Sequence, residues 1–396
     1  MPASGRIVHI VGAGISGLTL ALALARFGVS VMVLERTPML SEFGAGLQIS
    51  PNARRVLNRL GLDDALSAAS LEPAGIDIYP FRRKTPLVTL ALGEAARSRF
   101  GEPYAVMHRA DLAEALYRAT RRFANIDIVF GVENWQAEPN GDGLTMRYAV
   151  NGTQRSGRAF ALIGADGVHS RTRTDLIGGG PAKPIDRAAW RALIPFEAAR
   201  GHIALDRVSV LFGPGFHLVC YPLPHRQQVN VAVFARLSDE KAPHLPRATR
   251  SPRIAAILAA AGQSWTAWPL YTVETPRWSQ GPVGLIGDAA HAMLPFQAQG
   301  AAMGIEDAAI LAPLLATAPS AEAAFARYEA LRRPRIGKVA KISQSNGTIF
   351  HLRGPMALAR NLVIAAGGSM AQLKRLAWLY GYDAQKEIAE TESPPY

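Results

Sequence analysis

The apolar positions of the chain fall first into the order strand, helix, strand. A β-branched run from Ile7 to Val11 leads into Gly12-Ala13-Gly14-Ile15-Ser16-Gly17. An Ala/Leu-rich helical pattern continues to Phe27, and a second β-branched run ends on Glu35. That succession predicts a βαβ unit with a glycine-rich first turn. Gly44-Ala45-Gly46 reads as a close-approach loop, and Pro51-Asn52 opens a helix that Gly61 ends. Residues 71 to 99 alternate in short runs and read as strands. Tyr104 to Arg109 predicts a brief strand, followed by an amphipathic helix with Leu112, Leu116 and Tyr117 inward. Ile126 to Phe130 reads as a buried strand. Residues 143 to 163 read as a meander whose last strand, Ala159 to Gly164, runs into Asp166-Gly167.

Further on, alternation at Val208 to Phe212, Phe216 to Tyr221 and Val229 to Phe234 predicts a mostly antiparallel sheet, interrupted by one helix near Ser251 to Ala261. Val283 to Ile286 is a strand entering Gly287-Asp288, and a small-residue helix starts at Gln299-Gly300 and runs to about Thr317. From Ser320 to Gly381 the period is helical, with Lys338, Lys341, Arg360, Lys374 and Arg375 expected on a solvated face and Trp378-Leu379-Tyr380 as a packed end. The fold class expected is α/β: a Rossmann-type dinucleotide domain, a smaller β-sheet domain and a helical C-terminal region. The dinucleotide domain takes residues 1–75, 104–184 and 276–318, the second domain 76–103 and 185–275, and the helical region 319–396.

Composition changes this picture little. The 396 residues carry a formal charge of +12, yet the basic residues are mostly scattered arginines with no dense run or interleaved aromatics. Nucleic acid is therefore not an expected partner, and steering of anionic small molecules explains the excess. A single cysteine, Cys220, excludes an internal disulfide, and no Cys/His cluster has metal-ligand spacing. With no signal-like start and no uncharged apolar run long enough to span a bilayer, a reducing, cytoplasmic setting is expected. Gly178-Gly179-Gly180-Pro181 is no phosphate loop, since proline stands where a helix would begin.

The chemistry begins at the first turn. Gly12 permits it, Gly14 lets backbone approach a pyrophosphate, and Gly17 lets the helix sit close on the strand. Glu35 closes the second strand where a carboxylate accepts from a ribose, so FAD or NAD fits better than NADP. Asp166 stands at the carboxyl edge of a strand, either beside the cofactor crevice or as the cap of a turn. The helix starting at Gly300 offers backbone N–H groups to an anionic atom. His217 and Tyr221, four apart on a strand, share one face and present either a site or a packed sheet face with satisfied polar tips.

Three stretches together resemble the single-component FAD-dependent aromatic hydroxylases, the family of salicylate, hydroxybenzoate and 6-hydroxynicotinate monooxygenases. They are VGAGISG with Glu35, GADGVHSRTR from Gly164, and GDAAHAMLPFQAQGAAMGIEDA from Gly287. The resemblance runs over nearly the whole chain. It implies FAD held by Gly12, Ala13, Gly14, Gly17, Glu35, Arg36, Gly46, Leu47, Arg109, Asp166, Gly167 and Asp288, with the N–H groups of Gly300 and Ala301 at the pyrimidine edge of the flavin. It implies His217 or Tyr221 as catalytic residue, Gln48 and Pro295 against substrate, NADH or NADPH as transient co-substrate, and O2. The reaction implied is hydroxylation of a phenolic or hydroxylated heteroaromatic ring via a flavin hydroperoxide, by a monomer or homodimer. Some relatives carry an active-site histidine where this chain has Gln48, a departure that counts against a specific hydroxynicotinate assignment.

No G-x-S-x-G elbow supports a hydrolase, and no second dinucleotide fingerprint is present. Two other readings compete: a flavin dehydrogenase or reductase on an isoprenoid or alicyclic substrate, and a catalytically silent flavoprotein that binds a partner. Oxygen uptake separates the first, and ligand-stimulated flavin reduction the second.

Overall fold

The computed structural model describes residues 5–40, 46–141, 143–238, 241–245 and 247–392. Gly44 and Ala45 of the expected close-approach loop lie outside these residues. A six-stranded sheet holds Ile7–Val11 at its centre. Ser30–Leu34 and then Ile126–Val129 lie on one side, and Ala161–Gly164, Val283–Leu285 and Ser279–Gln280 on the other. All neighbours are parallel except the last pair. The helix Ile15–Ala25 follows the central strand and buries all but one of its residues, because the Ala/Leu run is apolar on every side and is covered by the sheet and by the helix Gly300–Thr317. That second helix is, among the described residues, the one long and apolar enough to cross a membrane, and it lies mostly buried inside the fold.

A seven-stranded sheet forms the second layer, in the order Thr266–Thr272, Lys183–Pro195, Gln228–Ala235, Phe216–Leu223, Val208–Gly213, Gly75–Tyr79, Val88–Ala91. It is antiparallel except where Val208–Gly213 runs parallel to Gly75–Tyr79. Its outer face, with Trp190, Leu218, Val231 and Val233, packs against the helix Pro252–Ala261. Its inner face turns toward the six-stranded sheet. The helices Ala321–Phe350 and Gly354–Tyr380 close the molecule, the second with a non-helical backbone at Gly368 (φ 62°).

Four sequence expectations need correction. The alternation over 71 to 99 yields strands only at Gly75–Tyr79 and Val88–Ala91; Glu94–Phe100 is a helix set between Gly93 and a left-handed Gly101. Ile126–Val129 is not a buried strand but a half-buried one at the sheet edge. The meander consists of Val132–Asn140, Gly143–Val150 and Thr153–Ala159, and Ala161–Gly164 leaves it to join the parallel sheet. Arg360 is not solvated: it is buried, its guanidinium lies 4.1 Å from the Phe212 ring centroid, and it donates to the carbonyls of Ile349 and Phe350.

Candidate active site

A cavity of about 1280 Å³ runs between the two sheets, larger than the ~300–1,000 Å³ typical of a single ligand site. One end is the glycine-rich turn. Gly12 has φ 106°, and a Cβ there would stand 2.6 Å from the carbonyl oxygen of Ala165. A Cβ on Gly17 would collide with the carbonyl of Gly12, so this residue sets the contact of helix and turn beneath the cavity. Gly12, Ala13 and Gly14 line the space itself, together with Glu35 and Arg36. Glu35 Oε2 accepts from the N–H of Ala13 at 2.8 Å and Oε1 from Thr37, which fixes the carboxylate at the rim of the turn. Arg109, first residue of the helix Arg109–Thr120, lines the same wall.

Asp166 combines both of its sequence readings in position. It accepts from Ser170 Oγ (2.5 Å), Thr172 N (3.0 Å) and Thr172 Oγ1 (3.1 Å), thereby capping a turn, and with Gly167 it also lines the cavity. Arg173 ties this motif to the next by donating to the carbonyl of Ala289 (2.9 Å). Asp288, exposed to the cavity, follows Gly287. A Cβ at Gly287 would press on Ser16 Oγ, and one at Gly304 would collide with it, so the two small-residue motifs interlock. Pro295, Gly300 and Ala301 line the adjoining wall, and a Cβ at Gly300 would meet only open space. The first residues of this helix border the cavity, and a helix N-terminus there favours negative charge.

Behind that helix start lies a buried ionic network that charge patterning does not reveal. Glu306 and Asp307 have no exposure, and Arg332 reaches both, at 2.7 Å each. Arg335 donates twice to Glu306, and Asp307 Oδ2 holds the N–H of Gly287 at 2.9 Å and His291 Nε2 at 2.6 Å. Burial pushes both carboxyl groups up. Arg332 and Arg335 outweigh it at Glu306, and His291 and Arg332 outweigh it at Asp307, which ends lowered to about 2. The network thus fixes the spacing between Gly287-Asp288 and the helix N-terminus.

The opposite wall is the inner face of the seven-stranded sheet, and its register defines three rows. Ala189, Phe234, His217 and Phe212 form one, Arg191, Ala232, Val219 and Val210 the next, and Leu193, Asn230 and Tyr221 the third. His217 and Tyr221 both line the cavity, as their spacing required, but ~13 Å of strand separates them, so they reach different ends of a small ligand. His217 stacks on Phe234 (4.6 Å between centroids) and meets Phe296 and Phe350 edge-on. Burial, with His351 and Arg187 near, holds its pKa well below the usual value. Burial raises the pKa of Tyr221 despite nearby Arg191, so its hydroxyl stays protonated. Its ring fills the space that a Cβ on Gly46 would need, and the Gly46 N–H donates to Asn230 Oδ1 at 2.8 Å. Leu47 and Gln48 continue this edge, Gln48 accepting from the Tyr104 hydroxyl.

Arg191 escapes sequence reasoning because it resembles the other scattered arginines. In the fold it lines the cavity with its Nε buried and unpartnered, and among the described residues no carboxylate pairs with it. Burial lowers its pKa, opposed by Tyr221. A guanidinium in this state is a site for an anionic group. Of the residues singled out from sequence, all border the cavity except Gly17, which lies beneath it.

A family model described as an FAD binding domain matches residues 6–343. The chain is 33% identical over 394 residues to the 3-amino-4-hydroxybenzoate 2-monooxygenase PtnB3 of Streptomyces platensis, covering 95% of this chain and 96% of the other. It is 31% identical to the 3-hydroxybenzoate 6-hydroxylase 1 of Aquipseudomonas alcaligenes, covering 94% and 97%. The crystal structure of Klebsiella pneumoniae HpxO complexed with FAD and uric acid superposes with a TM-score of 0.82 at 23% identity, over 96% of this chain and 97% of the other. The last is a likeness of fold.

Proposed function

The chain belongs to the single-component FAD-dependent aromatic hydroxylases, and from that premise we propose that it hydroxylates a small phenolic or hydroxylated heteroaromatic acid with NAD(P)H and O2. The observation that carries this reading is the continuity of one cavity from the glycine cradle to a sheet wall bearing His217, Tyr221 and unpaired Arg191. Gly12, Ala13, Gly14, Glu35, Arg36 and Arg109 would hold the adenosine and phosphates of FAD. Asp166, Gly167 and Asp288 would hold its middle, and Gly46, Leu47, Gly300 and Ala301 the ring system. Bound there and reduced by NAD(P)H, FAD would activate O2, one atom of which would enter the ring while the other leaves as water.

The substrate ring lies over Ala232 and Val219, where the wall is smallest, with Gln48 and Pro295 across from it. Arg191 receives its carboxylate. Tyr221, kept protonated, donates a hydrogen bond. His217, kept neutral, takes the phenolic proton as the ring attacks oxygen, at a wall from which Phe234, Phe296 and Phe350 exclude water. Segments 1–75, 104–184 and 276–318 act in this reading as the FAD domain, and 76–103 with 185–275 as the substrate domain. The test is a panel of hydroxybenzoates, aminohydroxybenzoates and hydroxynicotinates with NADH and NADPH. One class should accelerate NAD(P)H oxidation with matching O2 uptake and give a product one oxygen atom heavier. Oxidation of the nicotinamide with no hydroxylated aromatic from any member would overturn the proposal.

A further inference from the structure

Behind His217, outside the cavity lining, stands a histidine with no role in the chemistry described so far. His351 follows the helix Ala321–Phe350, is buried, and places its Nε2 2.9 Å from Nδ1 of His217. Of two neutral imidazoles in such contact, one must donate and the other accept. The role of His217 as proton acceptor requires that it be the donor in this pair. The backbone N–H of His351 donates to Thr348, one residue short of the helical partner, which leaves the Gly347 carbonyl without its usual donor. The backbone at Gly347 lies beside the His351 ring, whose Nδ1 is buried and makes no hydrogen bond. With no partner to fix Nδ1 of His351, its Nε2 can offer its lone pair to the Nδ1–H that His217 carries whenever its own Nε2 is to accept a proton.

We propose that His351 is a positioning residue that fixes the tautomer of His217: it accepts the Nδ1–H of His217 and so leaves the Nε2 lone pair of His217 for the substrate hydroxyl. The inference rests on the reading of His217 as proton acceptor and adds the residue that makes it one. The opposite tautomer would put a hydrogen on Nε2, and His217 could then only donate. The acceptor also strengthens a base that its surroundings weaken, because every charged group facing the pair is cationic: Arg187 at both rings, with Arg353 and Arg360 at His351. When the phenolic proton arrives at Nε2, the imidazolium retains its Nδ1–H on His351, behind which the carboxyl end of a 30-residue helix contributes negative potential. The proton count balances: one leaves the substrate oxygen and one is gained by the histidine pair.

His351→Gln keeps an acceptor, whereas His351→Leu removes it. We expect His351→Leu to reduce hydroxylated product per NAD(P)H oxidised by at least tenfold, and to move the pH profile of coupling, while NAD(P)H-driven flavin reduction and FAD content stay as in wild type. His351→Gln should recover most of the coupling. His217→Ala is measured alongside. Loss in His217→Ala with wild-type coupling and pH profile in His351→Leu overturns the inference and leaves the site reading intact; full coupling in His217→Ala overturns both. Should His351→Leu fail to hold FAD, ¹⁵N-histidine NMR of the wild-type holoenzyme gives the answer directly. Hydrogen on Nδ1 of His217 supports the inference, and hydrogen on Nε2 overturns it.

Discussion

Tyr221 and His217 are driven to opposite protonation behaviour by one cause, removal from water, which keeps the hydroxyl protonated and the imidazole unprotonated. Their substitutions should therefore separate. His217→Ala is expected to lower product formed per NAD(P)H about 10²-fold, the lower end of general-base assistance, with hydrogen peroxide accounting for the difference. Tyr221→Phe should raise KM with a smaller effect on coupling. Arg191→Leu should weaken binding of a carboxylated aromatic about 10–10²-fold, measured by perturbation of the flavin spectrum, and leave binding of the corresponding alcohol unchanged. At this scale the sequence was informative where a rule of period applied: spacing of four on a strand put His217 and Tyr221 on one face. Arg191 and His351 had no such signal. An arginine in a strand and a histidine after a helix read as solvated until the fold shows what surrounds them.

The helix Gly300–Thr317 shows how far element-level reading reaches. Its start was legible, since Gly300 and the small residues after it permit close approach. The burial of Glu306 and Asp307 was not, because acids inside a helix ordinarily mark its wet side, and their partners Arg332 and Arg335 stand on another helix. Arg332→Leu would remove the one cation shared by two buried carboxylates, leaving Glu306 with Arg335 and Asp307 with His291. A loss of about 3–5 kcal/mol is expected in urea unfolding, with FAD retention falling in parallel. Unchanged stability would mean that the network is not rigid in solution. The helix Glu94–Phe100 was missed for a different reason: its seven residues are too few for a period to stand out, and the informative signal was the pair of glycines at its ends.

Across the whole molecule, acid should act through buried histidines before carboxylates. His9 is pushed down to about 4 and His351 to about 3, both mainly by burial, and His217 is also well below its usual value. Unfolding returns each toward ~6.5, so the unfolded chain binds protons that the native chain refuses. The stabilisation is complete above about pH 6.5 and is lost progressively as pH falls from there toward the folded values, at up to roughly 4 kcal/mol per pH unit where all three differ. Chemical denaturation at pH 7, 6 and 5 checks this, and a flat profile would refute it; Asp307, lowered to about 2, would contribute only in stronger acid. The strand order of the large parallel sheet has one more consequence. Ile7–Val11 is flanked on one side by Ser30–Leu34, available at once, and on the other by Ala161–Gly164, itself completed by Val283–Leu285. During synthesis the glycine turn therefore waits for some 270 further residues before its cradle can close, and long-range pairing of this kind is slow. Flavin capture then marks the end of biogenesis, and chains stalled before the Gly300 helix should emerge colourless and open to proteolysis.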